Sequence, residues 1–320
     1  MRRAVPALLA LTFALAGAQA LTFPTMPITF VVPTAPGGAV DALARRLAPP
    51  LSERLGQQVI IENKTGANTQ IAAEFVAKAA PDGHTLLLGP DVTFTVNPHL
   101  YRKLSYDTLR DFAPITGLTV LHQALVAHPS LAANTVPELI ALAKAKPASL
   151  NYGTFGLGSA GHLNMEAFST AAGVTLVPVH YRGAAPAFND VLAGHIGLMF
   201  VSFGSVVENW KAGKVKVLAI GRAARMPDYP DLPTVAEGGL PGFEAKSWFG
   251  LFAPAVTPRG VVAKINAEVR GILADASFRE FLDRQMMETI ASSPEDYAEL
   301  IRSDSRKWGQ VISDAKLKID

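Results

Sequence analysis

Residues 28–55 read ITFVVPTAPGGAVDALARRLAPPLSERL. The first five are all β-branched or aromatic, so residues 28–32 read as a buried strand. Val40, Leu43, Ala44, Leu47, Leu51 and Leu55 then recur at the spacing of a helix with one buried face. Between them, Pro-Thr-Ala-Pro-Gly-Gly turns the chain, and the unit is strand, glycine-rich turn, helix. Pro49 and Pro50 cannot donate helix hydrogen bonds, so a kink or break is expected there. Outward from this unit, residues 59–62 read as a second strand, 69–79 as a second helix and 85–88 as a third strand. Repeated strand-helix-strand units imply a parallel sheet with helices on both faces.

A second series of the same kind follows. Residues 136–145 read as a helix, 150–152 as a strand, 161–171 as a helix, 175–178 as a strand, 184–193 as a helix, and 196–200 and 216–220 as strands. The expected architecture is α/β with two lobes, each a mainly parallel sheet covered by helices, and a ligand cleft between them. Lobe 1 takes residues 21–122 and 250–320, and lobe 2 takes residues 123–249. The extended apolar segments 118–127 and 244–253 connect them, and the helices from Pro258 onward pack back on lobe 1. No low-complexity tract or short-period repeat is present.

Residues 1–20 have the form of an export signal. Arg2 and Arg3 precede an apolar run over 5–16 that is interrupted by Pro6 and Thr12, and Ala18-Gln19-Ala20 is a small-x-small cleavage pattern. The run is shorter than the ~20 residues that a bilayer crossing takes, so a soluble mature chain beginning near Leu21 is expected. It would reach the periplasm of a Gram-negative bacterium by the general secretory rather than the twin-arginine route. The chain contains no cysteine, which removes lipid attachment at the cleavage point, disulfides, thiol nucleophiles and cysteine-held zinc. Of 29 basic and 27 acidic residues the signal carries two basic ones, which leaves 27 of each. That balance, with no Lys/Arg block, excludes nucleic acid and anionic lipid as partners. Roughly 300 residues then suffice for one large or two medium domains.

In an open parallel sheet, ligands bind beyond the carboxyl ends of the strands. Two glycine-rich turns fall there, at residues 33–41 and 152–162. In the first, Gly37 and Gly38 allow close backbone approach, and the coming helix offers unpaired N–H groups to an anion; the same glycines serve equally as a plain chain reversal. Asp41, one turn into that helix, fits a residue placed by the helix dipole as well as it fits a ligand group. In the second, Gly156, Gly158 and Gly161 match G-x-G-x-x-G, but no Asp or Glu ends the next strand, where Pro178, Val179, His180 and Tyr181 stand. Ser159 follows Leu157 and Gly158, so the G-x-S-x-G of a serine hydrolase is not met. Thr154 and Ser159 remain as hydroxyl donors to a carboxylate. The seven histidines form no metal-ligand pair, and His162 with Glu166 shares only a helix face. Arg182 suits a ligand carboxylate or a surface ion pair. Phe94, Phe155 and Phe203 suit the cleft or the core.

The chain resembles the periplasmic substrate-binding proteins of tripartite tricarboxylate transporters, the Bug family. The resemblance rests on residues 31–41 (VVPTAPGGAVD), 59–66 (VIIENKTG), 77–88 (AKAAPDGHTLLL), 97–114 (NPHLYRKLSYDTLRDFAP), 151–163 (NYGTFGLGSAGHL), 179–194 (VHYRGAAPAFNDVLAG) and 230–239 (PDLPTVAEGG). It implies a two-lobed type II periplasmic binding fold that closes on a small carboxylate and passes it to large and small membrane subunits, with no catalytic residue; a monomer without cofactor or metal is expected. The candidate ligand-binding set is Thr34, Ala35, Pro36, Gly37, Gly38, Asp41, Thr93, Thr154, Phe155, Gly156, Gly158, Ser159, Arg182 and Ser202. The chain departs from the family pattern at Phe155, where a small or polar residue is usual, and at Val201-Ser202, where Phe-Asp often stands. Phe155 beside the anion site, with Phe94 or Phe203, suits an aromatic or apolar-bodied carboxylate better than citrate. A ligand-sensing receptor and a secreted α/β hydrolase are the alternative functions.

Overall fold

The computed structural model describes residues 23–318, so the export signal read at residues 1–20 lies outside the described residues. The chain opens with β1 (Ile28–Val32), α1 (Ala39–Leu55), β2 (Val59–Asn63), a 3-10 turn (Ala67–Thr69), α2 (Gln70–Ala77) and β3 (Thr85–Pro90). Two short helices, α3 (Val92–Thr95) and α4 (Asn97–Leu100), lead to the long strand β4 (Phe112–Ala127). The second series is α5 (Val136–Ala145), β5 (Asn151–Thr154), α6 (Ala160–Ala172), β6 (Val177–His180), α7 (Ala184–Leu192), β7 (Leu198–Ser202), α8 (Phe203–Lys211) and β8 (Lys216–Ile220). Then come β9 (Lys246–Pro254), α9 (Arg259–Ala274), α10 (Ala276–Arg284), β10 (Met287–Thr289) and α11 (Pro294–Asp314).

The strands run β2-β1-β3-β9-β4-β7-β5-β6, with β8 and β10 also paired to β4. The expected parallel units are β2-β1-β3 and β7-β5-β6. The strands that carry the chain between lobes join antiparallel: β4 leaves the first lobe and β9 returns to it, so they must run in opposite directions. Along β4 the partner changes at one point. His122 is the last residue paired with β9, and Gln123 is the first paired with β7.

Both faces of each array are covered, as the strand-helix alternation requires. Phe30 and Val32 point to the side packed by Leu43 and Leu47 of α1 and by Ile265 and Phe278 of α9 and α10, while Val31 points to the side of Ala73, Phe252 and Tyr297. In the second lobe Leu125 packs with Leu139 and Phe168, and Val126 with Phe188 and Val206. Helix α9 packs on the first lobe, whereas α11 also reaches the second, where Trp308 and Ile312 meet Leu163 of α6. No helix among the described residues is long and apolar enough to cross a membrane.

The break expected at Pro49-Pro50 does not occur, and α1 runs through both prolines. Leu43, Leu47, Leu51 and Leu55 form one buried stripe on the opposite side from the exposed Pro49. Each buried leucine contributes about 1.5–3 kcal/mol. The prolines leave the carbonyls of Arg45 and Arg46 without helical donors, on a side of the helix where water can supply one. Helices α3, α4 and α8 and strand β10 are not legible in the periodicity; α3 and α4 are only four residues each, too short for a periodic signal.

Candidate ligand cleft

The first glycine-rich turn follows β1 and ends at Gly38, the N-cap of α1, with no side chain capping the helix. Gly37 has φ +88°, a left-handed backbone that suits glycine. Its N–H donates to Asp41 Oδ2 at 2.9 Å, and Arg45 Nε donates to the same oxygen at 2.8 Å. Asn63 Nδ2 donates both to Asp41 Oδ1 and to the Thr34 carbonyl, each at 2.9 Å. Asp41 is 2% exposed, and its pKa is lowered to about 2, chiefly by the hydrogen bond from Arg45. Its oxygens are spent on holding the turn, so Asp41 braces the site and does not face it. What the turn turns outward is the first-turn N–H groups of α1, which lack intrahelical acceptors; Thr34 Oγ1 in the same turn is a buried hydroxyl with no partner.

The second turn, between β5 and α6, has Gly156 at φ +133° and Gly158 at φ +74°. Thr154 is fully buried; its Oγ1 lies 2.8 Å from His180 Nδ1 and accepts from Gly156 N–H at 3.3 Å. It too is a brace. Gly158 packs against α4, where a Cβ would stand 2.2 Å from Leu100 Cδ2. Its N–H donates to His162 Nδ1 at 3.1 Å, and burial lowers the His162 pKa to about 4, with His180 adding a smaller push. Ser159 is the N-cap of α6; its Oγ accepts from His162 N–H at 3.4 Å, which leaves its own proton to donate.

A cleft of about 620 Å³ lies between the lobes, and both turns open on it. Of the candidate set, Thr34, Gly37, Gly38, Phe155, Ser159 and Ser202 line this cleft. Ala35, Pro36, Gly156, Gly158 and Arg182 do not, and Arg182 is exposed outside the wall. Thr93 is fully buried behind the wall, where its Oγ1 donates to Thr69 Oγ1 at 2.8 Å.

Four helices start at this cleft. Gly38 and Ala39 of α1, Ser159 and Ala160 of α6, Ala184 of α7, and Ser202, Gly204 and Ser205 of α8 all line it. The N-caps of α1, α7 and α8 make no side-chain capping bond, so their amides and the positive ends of the helix dipoles face the cleft. Among the described residues no Asp or Glu lines it, and Arg284 is the one charged residue in its wall. The arrangement suits an anion held by amides and hydroxyls.

Several lining residues were not anticipated. Asn68 and Thr69 lie in a left-handed run, Ala67 φ 45°, Asn68 φ 48° and Thr69 φ 75°. The buried Asn97 holds this run: its Nδ2 donates to the Asn68 carbonyl and its Oδ1 accepts from Asn68 Nδ2, both at 2.8 Å. The Gly-Ala-Asn-Thr sequence at residues 66–69 is the local signal, since Asn tolerates left-handed backbone. Gln123 and Ser247 come from the crossing strands and join the wall only because β4 and β9 pass beneath it. Phe94 and Phe203 are core residues: Phe94 stacks on Phe252 at 3.7 Å between centroids, and Phe203 packs against Trp210 and Tyr229. The aromatic faces on the cleft are Phe155, half-buried over Gly161, and Phe249.

Residues 43–317 match the sequence profile of the Tripartite tricarboxylate transporter family receptor. A protein from Pseudomonas sp. (strain P51), described as a UPF0065 protein in the tcbD-tcbE intergenic region, is 38% identical over 97% of this chain and 92% of its own length. The fold is similar to that of an R. palustris protein solved with adipate, with a TM-score of 0.84 and 35% identity over 93% of this chain and all of that one. It is also similar to MatC from Rhodopseudomonas palustris with bound malate, with a TM-score of 0.80 and 33% identity over 91% of this chain and all of that one.

Proposed function

The chain belongs to the tripartite tricarboxylate transporter receptor family, and from that premise we propose that it captures a small carboxylate between its lobes in the periplasm and delivers it to the large and small membrane subunits of a transporter. One observation carries the reading: four helix N-termini converge on a cleft whose wall, among the described residues, holds no acidic side chain. The adipate and malate bound to the similar R. palustris proteins are carboxylates of the size this cleft admits. A hydrolase would need a base on Ser159. The Ser159 hydroxyl instead caps α6, and the nearby His162 spends Nδ1 on the Gly158 N–H. Phe155 and Phe249 on the wall favour a ligand whose body is apolar or aromatic over one with a third charge, such as citrate.

Closure would turn about the crossing strands. Gln123, Gly221 and Ala245 are joined there by main-chain bonds from Gln123 N–H to the Ala245 carbonyl (2.9 Å) and from Gly221 N–H to the Gln123 carbonyl (2.8 Å). On this reading the second lobe is residues 123–245, four residues shorter than the sequence suggests, because residues 246–249 pair with β4 of the first lobe.

Thermal-shift measurements across mono- and dicarboxylates, adipate and malate included, test the function. A ligand that binds only the folded state raises the melting temperature, so at least one acid is expected to do so in millimolar excess. Calorimetry on Phe155→Ala then decides the ligand body: affinity falls for the best apolar or aromatic acid if Phe155 contacts it. If only stability falls, Phe155 serves the core.

A further inference from the structure

Gln123 stands where β4 passes from one lobe to the other, and its side chain lies in the cleft wall. We propose that its amide donates to an oxo or hydroxyl oxygen on the body of the ligand, so that the protein prefers an oxo or hydroxy acid to the same acid without that oxygen, and that Asn164 is the positioning residue for this amide. The proposal rests on the carboxylate reading above.

Strand alternation brings Leu121 and Gln123 of β4, Ser247 and Phe249 of β9 and Met287 of β10 to the cleft, where they form a mainly apolar floor. Of these, Gln123 and Ser247 are polar. Ser247 spends its hydroxyl proton on the buried Asp91, with Oγ 2.7 Å from Oδ1. Gln123 is 2% exposed, and its main chain is used by Ala245 and Gly221 at the crossing. Its Oε1 accepts from Nδ2 of Asn164 on α6 at 3.0 Å, which leaves Nε2 without a partner among the described residues.

The orientation of this amide pair has a physical reason. Asn164 is fully buried and its Oδ1 has no partner. Turned over, with Gln123 Nε2 donating to Asn164 Oδ1, the pair would satisfy that oxygen but leave both Asn164 N–H donors without an acceptor. It would also aim the Gln123 carbonyl oxygen at a cleft that helix N-termini prepare for an anion. As oriented, Gln123 offers the cleft donors only. An apolar ligand body that covers them displaces their water and returns nothing, whereas a ligand oxygen takes the bond over. Gln123 is in register with Ser202, the N-cap of α8, so the donor stands beside a helix N-terminus open to the carboxylate and suits an oxygen on a neighbouring carbon.

Titration calorimetry with succinate, adipate and phenylacetate, each beside its 2-hydroxy and 2-oxo derivative, tests the assignment. Wild type is expected to bind an oxygenated acid roughly tenfold more tightly than its parent in at least one series. Gln123→Met, similar in length and without donors, should bring that ratio close to one. Gln123→Glu still accepts from Asn164 but turns oxygen to the cleft, and should abolish the preference for the oxo acid. Asn164→Ala should lower the ratio too, which a loss of packing, followed by the melting temperature, would not do. Wild type binding parent and oxygenated acids equally, or a ratio undiminished in both Gln123 variants, overturns the proposal and leaves the carboxylate reading intact. A ratio undiminished in Asn164→Ala overturns the positioning role, and binding of no acid in any series overturns the carboxylate reading itself.

Discussion

Thr34 and Asp41 share one turn and do opposite work. Asp41 is the more conspicuous residue, an acid at the start of a helix, yet its carboxylate is consumed by Gly37, Arg45 and Asn63. Thr34 has a buried hydroxyl with no partner inside the protein, and on the proposed function it donates to the ligand once closure brings the carboxylate onto the turn. Ser159 is its counterpart on the other lobe, capping α6 with its oxygen and free to donate its proton. A hydrogen bond to a charged group contributes roughly 1.5–3 kcal/mol, so Thr34→Val and Ser159→Ala should each weaken carboxylate binding about tenfold or more. Isothermal titration checks this, and unchanged affinity in both variants would remove the hydroxyls from the site. Thr154, the hydroxyl that looks equivalent in sequence, faces His180 instead.

Helix α6 shows how an element holds a loop in binding shape. His162 in its first turn accepts the Gly158 N–H through Nδ1, which requires an unprotonated nitrogen there. Burial lowers its pKa from the ordinary 6.5 to about 4, so the folded state favours the neutral ring and the unfolded chain takes up a proton first as pH falls. The His162 contribution to stability is thus complete above pH 6.5 and is lost as pH falls from 6.5 towards 4, by about 3 kcal/mol in all. Asp91 acts in the opposite direction: burial raises it to about 7, so its contribution is complete below its ordinary 3.8 and is lost as pH rises through 7. The two overlap, which makes the comparison of wild type with His162→Asn the clean measurement. Chemical denaturation across pH 4–7 should show a steeper acid-side loss in wild type than in the variant. Parallel slopes would remove His162 from the pH dependence.

At the scale of the whole molecule, β4 and β9 are at once the floor of the cleft and the link between lobes. A ligand bridging the first turn and the α6, α7 and α8 termini touches both lobes, so it binds a closed form better than an open one and shifts the population towards it. Small-angle scattering should show a smaller radius of gyration with saturating carboxylate. Identical dimensions with and without ligand would count against hinge closure. Gly158 sets the limit of approach on one side, since a side chain there meets Leu100 of the other lobe.

The strand-turn-helix units and their buried stripes were legible in the chain, because periodicity is a local property: β1, α1, β3 and the α6 region stand where their apolar residues recur. The two turns were legible for the same reason, since glycines at positive φ follow strands and precede helices. The tertiary structure decided what each polar group faces. Asp41, Thr93 and Thr154 are taken up inside the lobes, and Thr34, Ser159 and Ser202 line the cleft, although all six are short polar residues near strand ends. That difference depends on partners distant in sequence: Asn63 for Asp41, Thr69 for Thr93 and His180 for Thr154. The same holds for the apolar floor and for Arg284. Leu121, Ser247, Phe249 and Met287 carry no local signature of a binding site, and they meet only because β10, β4 and β9 lie side by side once the chain has crossed between lobes and returned.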